Sequence, residues 1–303
     1  VLAAMVADLG RSIAGQDALE RSRIWAMLAG DINFLGRAGV AMFALSALDI
    51  ALWDIAGKAA GLPVWRLLGG AARPLPCYAG GLFLSDGLDA IVAEARGYLA
   101  RGFTAMKMRA GAKDWRDDIA RVEAIRDAIG PSTVLMVDVV QGWTPEQAIR
   151  MGRELRRFDL YWIEDPVVFD NIAGMARVAA ELDVPIAAGE NDYGKLGFRR
   201  LIEAKAIDIA MADLQRVGGI TEWMKVAALA EAWGMPIVPH VFHEISSHLM
   251  AATPNCLHAE YVPWWDLLFE VPVPVVNGTI TPPSGPGLGL AFNEATIDKY
   301  RAN

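Results

Sequence analysis

Cysteine is nearly absent from this chain. Its 303 residues include two cysteines, Cys77 and Cys256, and both lie in apolar stretches typical of strands. Two cysteines are too few for a disulfide framework, and a buried thiol is the ordinary state of such residues. We therefore expect a cytoplasmic protein that works in a reducing compartment.

Basic clusters and long apolar runs are also missing. The chain has 28 Lys and Arg residues against 36 Asp and Glu residues, which gives a net charge of −8 and a pI near 5.1. Nucleic acids and anionic lipids bind to positive patches, and this sequence has no run of Lys or Arg. No uninterrupted apolar run reaches the roughly 18 residues that span a bilayer. The N-terminus also lacks the features of a signal peptide. We expect no nucleic-acid partner and no membrane partner.

Apolar residues, by contrast, make up 54% of the chain, enough for one large core and a smaller satellite. Residues 1–73 are predicted to be helical, since apolar side chains recur every three or four positions between Met42 and Ile55. Residues 74–262 alternate strand-like and helix-like stretches about eight times, which predicts a parallel α/β barrel. Residues 263–303 are rich in Pro and Gly and are predicted to form an extended tail.

Ionisable residues recur at the ends of the strand-like runs, about 20 to 30 residues apart, the length of one strand, one helix and two loops. The carboxyl ends of the strands of a parallel barrel surround one mouth, so residues distant in sequence become neighbours there. We therefore predict a single site at this mouth. Its candidate members are Lys107, Arg109, Asp138, Glu164, Glu190, Asp213, His240 and Glu260.

Three of these carboxylates form a candidate metal site. Asp138, Glu164 and Glu190 end three consecutive strands, which lie about 5 Å apart in a sheet. Oxygen donors favour Mg²⁺ or Mn²⁺, and no Cys or paired His lies at a spacing typical of zinc ligands. Any one of the acids alone could instead cap the helix that follows it. Acidic residues at the corresponding ends of three neighbouring strands favour a bound metal ion.

The remaining candidates are acids and bases. Lys107 and Arg109 lie two positions apart on a strand, so both point into the mouth or both are surface cations. A lone histidine such as His240 is more often structural, but Asp213 at the end of the preceding strand can orient its ring and raise its basicity. Glu260 is a possible proton or hydrogen-bond donor, or else a surface glutamate. A structural role is predicted for the other histidines, His243, His248 and His258.

From Val40 to Asn303 the sequence resembles the mandelate racemase-like subgroup of the enolase superfamily. The resemblance rests on short motifs around the candidate residues and on a stretch before the barrel. These motifs are Ala47 to Gly70, Lys107-Met108-Arg109, Gln141-Gly142-Trp143, Trp162-Ile163-Glu164-Asp165-Pro166, Gly189-Glu190-Asn191, Asp213 with Gly218-Gly219-Ile220-Thr221, Pro239-His240 and Glu260-Tyr261.

The resemblance implies a (β/α)7β barrel under an α+β capping domain formed by both chain ends. It also implies Mg²⁺ held by Asp138, Glu164 and Glu190, a substrate carboxylate on the metal, and a homo-oligomer, commonly a dimer or an octamer. Relatives begin the cap with a sheet that carries substrate-selecting loops, and we expect such a segment upstream of Val1. Two positions depart from the pattern: Arg109 replaces the second lysine of racemases, and Val140 replaces an asparagine.

Three functions are compatible with these residues. The first is a Mg²⁺-dependent lyase that dehydrates an acid sugar, an aldonate or an aldarate, to a 2-keto-3-deoxy acid through an enediolate; enolase-superfamily sites are a known example of such metal-assisted chemistry. The second is a racemase or epimerase, which Arg109 disfavours because a guanidinium is a poor proton acceptor. The third is a barrel that binds ligands without turnover. We favour the dehydratase.

Overall fold

The structure is a computed structural model that describes residues 1–301. Eight parallel strands surround its centre, and the first seven pair in chain order. The last of them pairs with the first, and the segment before it bonds to Ile237, which closes the ring. The strands are β1 Leu75–Gly80, β2 Ala105–Arg109, β3 Val134–Asp138, β4 Leu160–Glu164, β5 Ile186–Ala188, β6 Ile209–Asp213, β7 Ile237–His240 and β8 Ala259–Tyr261. The predicted barrel is confirmed.

Helices cover the outside of the barrel and form the N-terminal region. Residues 1–73 contain α1 Leu2–Ile13, α2 Arg21–Asp31, α3 Gly39–Ala60 and α4 Val64–Leu67. The barrel helices are α5 Leu88–Ala100, α6 Trp115–Ile129, α7 Pro145–Leu155, α8 Ile172–Glu181, α9 Gly194–Glu203, α10 Leu214–Val217, α11 Gly219–Ala232 and α12 His243–Ala251. The tail contains β9 Val275–Val276, β10 Thr279–Ile280 and α13 Glu294–Tyr300.

The acidic start at Asp114 and the Thr144-Pro145 pair predict helices over residues 114–129 and 144–156, and α6 and α7 begin at these signals. Asp114 accepts a hydrogen bond from the Arg116 amide at the start of α6. Thr144 forms a capping box with Gln147 at the start of α7, and Pro145 occupies its first turn. The strand-like runs of the sequence overlap the observed strands. The largest differences are at residues 103–106, 207–212 and 257–259, where β2, β6 and β8 each begin two residues later than the run.

The strand period of two places the ionisable residues above an apolar plug inside the barrel. On these strands, the residue two positions before the ionisable one points in the same direction, and these apolar residues form one buried cluster. The residues of opposite parity, such as Met106 and Met108 on β2, pack against the outer helices. The inward pairs, apolar residue first, are Ala105 and Lys107, Met136 and Asp138, Trp162 and Glu164, Met211 and Asp213, and Val238 and His240.

Helix α3 joins the N-terminal region to the barrel. By length and composition it is the one helix among residues 1–301 that could cross a membrane. Two polar residues in its middle, however, bond to the barrel layer: Asp49 accepts a hydrogen bond from the Thr221 amide, and Ser46 donates one to the Gln215 carbonyl. These contacts are typical of a helix that docks one layer on another in a globular fold.

The tail is not extended throughout, which corrects the prediction for residues 263–303. The β9–β10 hairpin pairs antiparallel with β1, through Leu75 and Ile280. Further on, the Leu288 amide donates to Asp54 of α3, so the tail returns to the N-terminal helices. It then forms α13, whose start is capped by Asn293. The sequence did not predict this helix, because the prolines and glycines that precede it dominate the composition of the tail. Residues 302 and 303 lie outside the described part.

A substitution at Gly219 tests the close packing of α3 against α11. It has a φ of +79°, and a Cβ there would lie 2.5 Å from Asp49 Oδ2. Gly15 has nearly the same φ, +78°, but open space around it. We expect Gly219→Ala to lower the free energy of unfolding by about 2–5 kcal/mol, from backbone strain and overpacking, and Gly15→Ala by about 1–2 kcal/mol, from strain alone. Urea denaturation measures both, and equal losses would contradict the close packing.

Candidate active site

Lys107 lies at the centre of the barrel mouth and is fully buried. Its Nζ is 2.5 Å from Glu164 Oε1, 2.8 Å from Glu260 Oε1 and 3.7 Å from Asp138 Oδ2. Burial opposes the charge, but Glu164 and Glu260 outweigh it and raise the pKa of Lys107 above its ordinary value. Lys107 therefore remains a cation, and its burial excludes the surface-cation alternative for this strand face.

Arg109 occupies the next inward position on β2, beside Asp138 of β3 in the strand register. Its Nη1 forms an ion pair with Asp138 Oδ2, and its guanidinium lies within 4.0 Å of Glu164 and of Glu260. Burial again opposes the charge, and the three carboxylates raise the pKa of Arg109. Arg109 therefore holds its proton and does not offer a base.

His240 ends β7 between two carboxylates. Its Nδ1 is 2.8 Å from Asp213 Oδ2, and its Nε2 is 3.0 Å from Glu190 Oε2. Asp213 is itself fixed, because its Oδ1 accepts hydrogen bonds from the amides of Gln215 and Arg216 at the start of α10. The contact predicted between Asp213 and His240 is thus present. The His240 side chain remains 14% exposed, so it faces the mouth.

Neighbouring charges determine the ionisation of His240, Glu190 and Glu260. Burial favours a neutral ring, but Glu190 and Asp213 outweigh it and raise the pKa of His240 well above its ordinary value. Burial likewise opposes the charge of Glu190, yet His240 lowers the pKa of that carboxyl. Lys107 and His240 overcome burial at Glu260 and lower its pKa to about 2. As arranged here, His240 is a proton donor.

Several residues of the mouth were missed at the sequence level. Asp165 follows Glu164 in the motif, is buried, and accepts a hydrogen bond from Asn191 Nδ2, which also donates to Glu190. Trp162 donates from Nε1 to Glu164 Oε2 at 3.0 Å. The motif around Glu164 contained both residues. Strand alternation could have placed Trp162 on the same face as Glu164, two positions away, whereas it gives no such signal for Asp165, which directly follows Glu164.

The donor set of the mouth suits a hard divalent cation. Burial raises the pKa of Glu164 and of Asp165, and neighbouring carboxylates add to the rise, so a cation bound here would favour their charged forms. Asp138, Glu164 and Glu190 offer oxygen ligands of the kind that Mg²⁺ prefers. In this arrangement Lys107 and Arg109 lie between Asp138 and Glu164, whereas Glu190 turns to His240. A cation on Glu190 would compete with His240 for it and lower the pKa of His240.

Two of the histidines predicted to be structural behave differently. His248 accepts a hydrogen bond from the Trp65 amide and contacts the Leu288 carbonyl, so both ring nitrogens are satisfied by α4 and the tail, as a structural role requires. His243 instead has two carboxylates nearby, Glu244 and Asp266, each 3.7 Å from a ring nitrogen. The closeness of Asp266 to His243 was not evident from the sequence, because Asp266 approaches it only through the loop after β8.

The fold and site define a parallel α/β barrel with a mouth lined by carboxylates, two fixed cations and a His–Asp pair. Two family profiles match this chain: "Mandelate racemase / muconate lactonizing enzyme, N-terminal domain" over residues 1–69 and "Enolase C-terminal domain-like" over residues 90–296. The chain belongs to this family of the enolase superfamily, and the resemblance of the motifs is confirmed.

Similar proteins include acid-sugar enzymes. The chain is 37% identical to 3,6-anhydro-alpha-L-galactonate cycloisomerase of Streptomyces coelicolor, over 94% of this chain and 80% of that protein. It is 36% identical to L-talarate/galactarate dehydratase of Salmonella typhimurium, over 95% of this chain and 72% of that protein. L-Talarate dehydratase from Polaromonas sp. JS666, crystallised with Mg and L-glucarate, superimposes with a TM-score of 0.93 at 35% identity, over 99% and 84% of the two chains.

Proposed function

We propose that this protein is a Mg²⁺-dependent acid-sugar dehydratase. The observation that carries the proposal is the position of His240 between Asp213 and Glu190, on a mouth whose other side holds the fixed cations Lys107 and Arg109. Mg²⁺ held by Asp138, Glu164 and Glu190 would supply positive charge for a substrate carboxylate. The relatives that act on galactarate and talarate support an acid sugar as substrate.

His240 performs the first step in this proposal. Its Nδ1 is held by Asp213, so Nε2 faces the mouth and takes the proton from the carbon next to the substrate carboxylate. That step leaves negative charge on the carboxylate, in a buried site where the Lys107 ammonium is already in place. Substrate must displace the contact of Nε2 with Glu190, which a metal ion on Glu190 favours.

In the second step, His240 gives this proton to the leaving group. The electron pair left on the α carbon forms a double bond to the β carbon, and the carbon–oxygen bond of the β-hydroxyl breaks. His240, now protonated, gives its proton to the departing oxygen, which leaves as water. The enol product tautomerises to a 2-keto-3-deoxy acid. Racemisation would need a second base on the opposite face, and Arg109 retains its proton there.

A second candidate function is favoured by the similarity to the cycloisomerase. In a 3,6-anhydro sugar acid the β-oxygen belongs to an ether ring. The same removal of the α-proton and breakage of the β carbon–oxygen bond then opens the ring, and no water leaves. The residues required are the same, so the substrate decides between dehydration and isomerisation.

A substrate panel tests both candidates. Purified protein with Mg²⁺ is incubated with aldonates, aldarates including galactarate, and a 3,6-anhydro acid, and products are followed by keto-acid formation and mass spectrometry. Loss of one water from an aldonate or aldarate supports the dehydratase, and an unchanged mass with a new keto group supports ring opening. Deuterium at the α carbon in D₂O without either change would indicate an epimerase. No reaction with any acid would contradict the proposal and favour a binding protein.

Asp213 has a positioning role that can be tested separately. In Asp213→Asn the amide no longer stabilises a protonated ring, so we expect kcat to fall by about 10²–10⁴-fold with a small change in KM and a shifted pH profile. Asp208→Asn is a matched control, since Asp208 precedes the same strand at the opposite end of the barrel and accepts the Ile186 amide. Equal losses of kcat in both variants would contradict this role.

A further inference from the structure

A second cluster of ligating side chains lies outside the residues used above. His243 and Glu244 begin α12, three and four residues after His240, and Asp266 lies in the turn after β8. Among residues 1–301 this is the one group of three His, Cys, Asp or Glu side chains whose donor atoms lie within 4.8 Å of one another.

The polar atoms of this cluster lack partners. His243 is fully buried, and neither of its ring nitrogens makes a hydrogen bond within the described chain. Glu244 Oε1 and Asp266 Oδ1 are also buried without a hydrogen-bond partner there. Buried polar atoms are nearly always satisfied in folded proteins. Four such atoms in one place indicate a ligand that is not part of the chain.

The distances indicate what kind of ligand. Nδ1 of His243 is 3.7 Å from Glu244 Oε2, and Nε2 is 3.7 Å from Asp266 Oδ1, too long for hydrogen bonds. Two ligands of one tetrahedral ion, each bound at about 2.0–2.1 Å, lie about 3.3–3.4 Å apart. A single ion uses only one ring nitrogen of His243, so only one of these separations can join two of its ligands. The three side chains can still share an ion, because one donor atom from each lies within 4.8 Å of the other two.

We propose that His243, Glu244 and Asp266 bind a divalent transition-metal ion, Zn²⁺ in the first instance, at a site separate from the mouth. One imidazole and two carboxylates suit Zn²⁺ better than Mg²⁺, which prefers oxygen ligands alone. The buried His243 ring makes no hydrogen bond, so one of its nitrogens has a lone pair to offer. Asp266 is 29% exposed, which gives the ion a route of entry.

A metal ion bound here would link two segments that border the mouth. Its ligands join the first turn of α12 to the turn after β8. Immediately beside them, Phe242 stacks on Trp265 with ring centroids 5.6 Å apart, and Trp264 stacks on Phe83. Phe83 lies within 5.9 Å of the Arg109 guanidinium. An ion in the cluster would therefore hold an aromatic wall next to the catalytic region.

Zinc titration in the presence of Mg²⁺ tests the proposal. Protein stripped with a chelator is saturated with Mg²⁺ to fill the mouth and titrated with Zn²⁺ by calorimetry, and Co²⁺ serves as a visible-absorption probe. We expect one equivalent of Zn²⁺ to bind, and His243→Gln to weaken binding by about 100-fold or more, since even residues that only orient a ligand can contribute 10–100-fold. Asp266→Asn changes a partly exposed residue and gives a second test in a variant expected to fold.

Two controls separate this site from the mouth. His258→Gln removes a partly buried histidine, which packs against Tyr161, and we expect it to keep the zinc equivalent. His240→Asn should keep it as well. Absence of a zinc equivalent beside Mg²⁺, unchanged affinity in folded His243→Gln and Asp266→Asn, or loss of the equivalent in His240→Asn would each overturn the proposal. None of these readouts requires turnover, so failure of the proposed dehydratase activity would not affect them.

Discussion

His240→Asn abolishes turnover in the proposed mechanism, with kcat falling by about 10⁴-fold or more. One general acid–base group contributes about 10²–10⁴-fold, and His240 acts twice, as base and then as acid. Asparagine retains a side chain that can contact Asp213 but cannot accept and return a proton. Keto-acid formation from the best substrate of the panel measures the loss, and exchange of the α-proton in D₂O measures the first step alone.

The control for this variant is His258→Asn, the same substitution at a histidine that packs against Tyr78 and Tyr161. We expect it to retain turnover. A thermal shift on addition of substrate and Mg²⁺ should persist in His240→Asn, which shows that the loss is chemical and not a failure to bind. Continued α-proton exchange at the wild-type rate in His240→Asn would contradict the assignment of the base.

Asp138→Asn has the second large effect. Asp138 is a proposed metal ligand and the ion-pair partner of Arg109, so an amide there removes one anionic oxygen from the cation site. We expect the affinity for Mg²⁺ to fall by about 100-fold or more and turnover to fall with it, since changes that merely reorient a ligand already lower affinity 10–100-fold. Turnover measured against Mg²⁺ concentration gives both quantities.

Asp118→Asn provides the matched control for a buried aspartate outside the mouth. Asp118 accepts hydrogen bonds from the amides of Gly111 and Ala112 and has no place in the proposed metal site. Its substitution should lower stability and leave the dependence on Mg²⁺ unchanged. A wild-type Mg²⁺ dependence in Asp138→Asn would show that the three carboxylates do not hold the cation together.

The sequence predicted those features that depend on period and local signals. Alternation along β2 placed Lys107 and Arg109 on one face, and the parallel barrel brought residues from seven strands or strand ends to one mouth. The caps of α6 and α7 followed from Asp114 and Thr144 because a cap is a contact within four residues.

Features set by loops between distant segments could not be predicted in this way. The approach of Asp266 to His243 depends on the path of the chain after β8, which no period describes. Asp165 accepts a hydrogen bond from Asn191, and its backbone has a positive φ of 39°. A positive φ is unusual for a residue other than glycine, so nothing in the sequence indicated this conformation. Helix α13 follows a segment whose prolines and glycines dominate the local composition.

The most direct test of the central claim is a crystal structure with Mn²⁺ and an unreactive acid-sugar analogue, in which anomalous scattering locates the ion. We expect an ion within about 2.0–2.3 Å of oxygens from Asp138, Glu164 and Glu190, a carboxylate of the analogue on the same ion, and His240 Nε2 directed at the α carbon. An ion bound without these three side chains, or a His240 ring that still contacts Glu190 and not the analogue, would contradict it.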